Sequence, residues 1–109
     1  MSSQRIAKLL SFIEMDPTDS FSKFALALEY LKMEKKLEAL SLFLEITSSD
    51  ENYVGVYYHL GNLYELMGDS TKALEIYTKG IDIAVKQHDN HSASELRQAL
   101  EDLEYSLEN

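Results

Sequence analysis

Moved along itself by 34 residues, the chain meets its own pattern. Leu26 falls on Leu60, Tyr30 on Tyr64, Met33 on Met67, Ala39 on Ala73 and Leu40 on Leu74. Near matches fill the gaps: Phe24 with Tyr58, Ala27 with Gly61, Leu42 with Ile76 and Phe43 with Tyr77. A period of this length marks a repeat architecture. Each unit is one small supersecondary element that cannot bury its apolar face alone, so neighbours must stack.

Within the period the apolar residues recur at helical spacing. Good helix formers dominate, with four glycines and Pro17 as the one proline, too few turn residues for a β-rich fold of this size. The reading is an all-α fold of about six helices. They are expected over 4–15, 21–34, 36–47, 53–67, 71–87 and 91–107. Asp16-Pro17 ends the first, because a residue before proline is pushed out of helical geometry. Asp19 or Ser20 caps the second. Gly68 ends the fourth as a left-handed residue. Ser92 and Glu95 have the spacing of a capping box for the sixth. In that last helix Leu96, Leu100, Leu103 and Leu107 form one apolar stripe opposite a charged face, as a terminal capping helix requires.

The second unit reads Tyr57-x-x-Leu60-Gly61-x-x-Tyr64, then Gly68-Asp69, Ala73, Tyr77 and Gly80. This resembles the tetratricopeptide repeat, in both residue types and length. The first unit is a poorer copy, with Lys23 in place of the first aromatic and Ile46 in place of the later small residue. The wording around Phe24–Leu31 and Tyr57–Gly61 also looks like small stand-alone bacterial members of the family. The resemblance implies one domain over 1–109, a right-handed helical-hairpin solenoid. It divides into a half-repeat helix (1–19), repeat one (20–53), repeat two (54–87) and a C-terminal capping helix (88–109). Small residues Ala27, Gly61, Ala39, Ala73 and Gly80 would let helices approach closely. Leu26, Tyr30, Leu60, Tyr64, Phe43 and Tyr77 would fill the space between them.

In this family the first helices of successive pairs line a concave groove. The resemblance therefore implies a protein-binding adaptor whose groove carries Phe21, Phe24, Ala25, Leu28, Leu31 and Lys32 from the first unit. Tyr58, His59, Asn62, Glu65 and Leu66 come from the second. Tyr58 offers contact area with a hydroxyl, and Asn62 a donor and an acceptor for a peptide backbone. Two other readings stay open. Phe21, Phe24 and Leu28 could pack on the first helix, or the apolar surface could be buried in a homodimer. A clamp for a C-terminal carboxylate is not expected. Asn62 matches one such position, but Phe24 and Tyr58 stand where the family has lysines.

Net charge is −9, most of it in the second half. No basic stripe offers a phosphate footprint, so nucleic acid is not an expected partner, and the overall charge taken alone favours a basic one. With no cysteine there is no thiol chemistry or disulfide framework. No signal-peptide pattern or membrane-length apolar run is present, so a cytoplasmic protein away from the membrane is expected. Glycine-rich phosphate loops, zinc-protease histidines and serine elbows are absent, so neither an enzyme nor a cofactor is expected. His88 and His91 flank Asp89 in a polar connection and are read as surface residues rather than metal ligands.

Overall fold

The computed structural model describes residues 2–109. Among these, six helices and no strand are formed: α1 (Ser2–Met15), α2 (Ser20–Lys32), α3 (Lys36–Ser49), α4 (Gly55–Leu66), α5 (Ser70–Lys86) and α6 (Asn90–Glu108). The all-helical hairpin class read from the repeat is the class observed. The chain forms two compact units, one ending at Tyr53 and the other beginning at Val54.

In the first unit α2 packs against both α1 and α3. The turn between α1 and α2 is made by Asp16, whose carboxylate accepts from Thr18 N (3.0 Å) and Thr18 Oγ1 (2.6 Å). Asp19 then caps α2, accepting from Ser22 Oγ at 2.6 Å and from Ser22 N at 3.0 Å. Those bonds favour the ionised carboxylate and hold the Asp19 carboxyl below the usual range. One core cluster is Leu9, Ala25 and Leu26, with Ile6, Ile13, Tyr30 and Leu42 packed on it, and Ala27, Ala39, Phe43 and Ile46 are fully buried as well. Helix α3 runs two residues beyond the expected end. Thr47 and Ser49 turn their hydroxyls back to the carbonyls of Leu44 (3.1 Å) and Glu45 (2.8 Å) instead of breaking the helix.

In the second unit α4, α5 and α6 each pack on the other two. Glycine makes this possible. A Cβ on Gly61 would lie 2.2 Å from Tyr77 Cε1, and one on Gly80 would lie 2.6 Å from Tyr57 Cβ and 3.0 Å from Leu96 Cδ1. Tyr57, Leu60 and Tyr77 fill the centre and are fully buried. Helix α4 begins at Gly55 rather than Tyr53, because Tyr53 closes a turn by donating its N–H to Asp50 O at 3.0 Å.

Three helix ends share one device. Glu34 (φ 59°), Gly68 (φ 80°) and His88 (φ 58°) adopt left-handed geometry just past α2, α4 and α5. The next N–H of each turn, at Lys35, Asp69 and Asp89, reaches back to Tyr30, Tyr64 and Ala84 at 2.9 Å. This is the bonding of a Schellman turn. Asp69 and Asp89 go on to cap the following helix, whereas Lys35 has no side-chain oxygen with which to cap α3. The expected box of Ser92 and Glu95 is thus replaced. The cap of α6 is Asp89, accepting from Ser92 N at 3.0 Å, and the helix starts earlier. The α6 stripe is also shifted. Ala93, Leu96 and Leu103 are buried, Leu100 is half-buried and Leu107 is exposed near the helix end.

Candidate functional site

Phe21, Phe24, Leu28, Leu31 and Lys32 recur at three- and four-residue steps and share one side of α2. Phe21 is 66% exposed, Phe24, Leu28 and Leu31 are half-buried, and Lys32 is exposed. The Phe24 ring leans on Phe43 and Tyr53, with centroids at 6.2 and 5.6 Å. Partial burial, with Asp50 and Asp19 nearby, pushes the Tyr53 phenol up. An open hollow of about 500 Å³ is lined by Arg5, Phe21, Phe24, Ala25, Leu28, Glu29 and Lys32. Leu31 does not line it.

Two lining residues were not anticipated, Arg5 and Glu29. Glu29 is 5% exposed, and its Oε2 meets Arg5 Nε at 3.4 Å and Lys32 Nζ at 3.2 Å. A buried carboxylate is tolerable only when paired in this way. The signal was present in the repeat, since Glu29 stands where the second unit has the buried Leu63. Lys23 is the parallel case. It replaces Tyr57 of the second unit, is buried, and meets Glu45 Oε1 at 3.3 Å.

In the second unit Tyr58 and His59 are half-buried on α4, their rings edge to face with centroids 5.5 Å apart. Burial holds the His59 imidazole below its ordinary value, with the Glu95 carboxylate opposing. Tyr58 borders a hollow of about 350 Å³ that α6 lines with Glu95, Gln98 and Asp102. Asn62, Glu65 and Leu66 line a shallower one of about 470 Å³. Asn62 is already engaged within the unit. Its side-chain amide lies 2.6 Å from the Tyr77 hydroxyl, which has one proton to give and donates it to the Glu65 carboxylate. Burial and Glu65 together push the Tyr77 phenol well up, so it remains a donor. One end of the Asn62 amide is engaged with Tyr77, and the other is what it can offer a ligand. Leu66 is 67% exposed, and Glu65 is exposed as well.

Among the described residues no group of three His, Asp or Glu side chains could hold a metal ion, and no helix is long and apolar enough to cross a membrane.

Residues 54–84 match the family model described as tetratricopeptide repeat. The crystal structure of a tetratricopeptide repeat domain protein from Salinibacter ruber is 41% identical, with a TM-score of 0.76, over 79% of this chain and 96% of that one. The solution structure of the Salinibacter ruber domain gives 42% identity and a TM-score of 0.78 over 82% and 90%. A curated relative, a TPR repeat-containing protein of Methanocaldococcus jannaschii, is 34% identical over 74 residues, or 68% of this chain. The match spans only 23% of that relative's length.

Proposed function

The chain belongs to the tetratricopeptide repeat family, and on that premise we propose that it is a protein-binding adaptor that uses the exposed, groove-lining faces of the first helices of its pairs, α2 and α4. The family's repeats generally mediate protein–protein contact and are generally non-catalytic. The observation that carries the reading is the α2 face. Phe21 is 66% exposed and Leu28 is half-buried beside it, although Ala25 and Leu26 between them are buried in the core. Apolar side chains left open beside a well-filled core mark a surface that gains by being covered. On α4 the candidates are Tyr58, His59 and Leu66, with the amide of Asn62.

The test is a random-peptide display selection on the full chain, repeated with Leu28→Glu and Tyr58→Glu variants and with a Leu37→Glu control. Leu37 is 70% exposed on α3. The adaptor reading expects an enriched motif that the control still binds and at least one face variant loses. Enrichment insensitive to both face variants would place binding elsewhere. No enrichment, together with a mass that rises with concentration, would favour the homodimer.

A further inference from the structure

The second unit shows how a helix pair in this chain receives a third helix. Helix α6 packs against both α5 and α4, and the three meet at Gly80, which leaves room for Tyr57 of α4 and Leu96 of α6. Two repeat lengths earlier, α1 stands in the register of α5 and α2 in that of α6. Ala25 then corresponds to Ala93, and Leu28 to Leu96. Ala25 and Ala93 are both buried, but Leu96 is 1% exposed while Leu28 is only half-buried. The difference is the third helix. Within the first unit, no described helix stands in the register of α4.

An open trough lies on that side instead. The hollow beside α2 shares Arg5 and Phe21 with a second hollow, of about 550 Å³, that runs along α1 past Lys8, Leu9 and Phe12. Phe12, 43% exposed, takes the register of Gly80, so an occupant is held further from α1 than α4 is from α5. The walls are helices whose backbone groups are bonded internally. They offer no row of donors and acceptors to an extended strand, whereas a helix brings its own bonds satisfied. The rim carries a small cationic excess, three cations against two carboxylates. Arg5, Lys8 and Lys32 border the trough, against Glu29 within it and Asp19, which is engaged in capping α2.

We propose that the trough between α1 and α2 is the docking seat for an amphipathic helix of a partner protein, apolar along one side and carrying carboxylates on its flanks. This rests on the adaptor reading and assigns the partner's chemistry at the first unit. The local charge is opposite in sign to that of the whole chain, so the trough selects a partner that the net charge alone would repel.

The test is fluorescence anisotropy with the full chain and three labelled synthetic peptides of several helical turns. One has a leucine–phenylalanine face and glutamate flanks, the second has lysine flanks, and the third is the glutamate peptide broken by a central proline. The glutamate helix is expected to bind roughly tenfold or more tightly than the other two, and to weaken as salt is raised. Lys8→Glu and Phe21→Ser change exposed rim residues and spare the pairs on buried Glu29. Each, once shown folded by circular dichroism, is expected to lower affinity. Equal binding of the glutamate and lysine peptides, undiminished binding of the proline-broken peptide, or indifference to both variants would overturn the proposal. Library peptides that bind where the glutamate helix does not would overturn it and leave the adaptor reading standing. Failure of every peptide would count against both.

Discussion

Gly61 lies inside α4, where alanine would ordinarily favour the helix by about 1 kcal/mol. Here the added methyl would fall 2.2 Å from the Tyr77 ring. The ring cannot swing away, because it is fully buried and its hydroxyl is tied to Asn62 and Glu65. Gly61→Ala is therefore expected to destabilise the protein by about 1–3 kcal/mol, the usual range for overpacking. A chemical denaturation curve checks this, and a midpoint at or above wild type would refute it. His59 gives a pH prediction. Its folded pKa is lowered by burial, so the unfolded chain takes up the proton first. The stability it supports is complete above about pH 6.5, the unfolded value, and is lost as pH falls from there through the folded value. A His59→Gln variant is expected to lack that part of the decline. The carboxylates Asp19 and Asp89, held low by their Ser22 and Ser92 bonds, lose their contribution only at more acid pH, below about 3.9.

At the scale of elements, the turn after α2 is the weak copy of the turn after α4. Glu34 holds φ 59° with a side chain, where its counterpart Gly68 holds φ 80° without one. Lys35 leaves α3 uncapped, where Asp69 accepts from Lys72 N at 3.1 Å. Lys35 does contribute a contact, its ammonium lying 5.9 Å from the Tyr30 ring centroid, worth about 0.5–1 kcal/mol at an exposed site. Relief of left-handed strain and a new cap are each worth about 1 kcal/mol. The double replacement Glu34→Gly, Lys35→Asp is thus expected to gain about 1 kcal/mol, read as a higher melting temperature. A fall in stability would show that the ring contact outweighs both. Helices and repeat were legible because both are periodic, and a period survives individual substitutions. Cap identity was less so. Asp89 and Ser92 both suit a cap, and only the left-handed turn at His88 decides between them. The site was legible as a face and not as a network. Periodicity puts Asn62 on the exposed side of α4, but the Tyr77 hydroxyl that engages its amide comes from another helix. Glu29 was visible only as a break in the repeat, without the two cations that hold it.

For the molecule as a whole, net charge and local chemistry point in different directions. The chain carries −9, yet the α1–α2 trough is rimmed by Arg5, Lys8 and Lys32. Partner choice by such a surface follows the charges within a Debye length, about 8 Å at physiological salt, more than the total. The central claim is that partners are bound on the exposed faces of α2 and α4. The most direct measurement is amide chemical-shift mapping of the full chain with a peptide enriched by display. We expect the largest shifts around Phe21, Phe24, Leu28 and Lys32, around Tyr58 and Leu66, or on both faces, with α3 and the exposed side of α5 quiet. Shifts centred on α3 and α5, with both first-helix faces unmoved, would contradict the account.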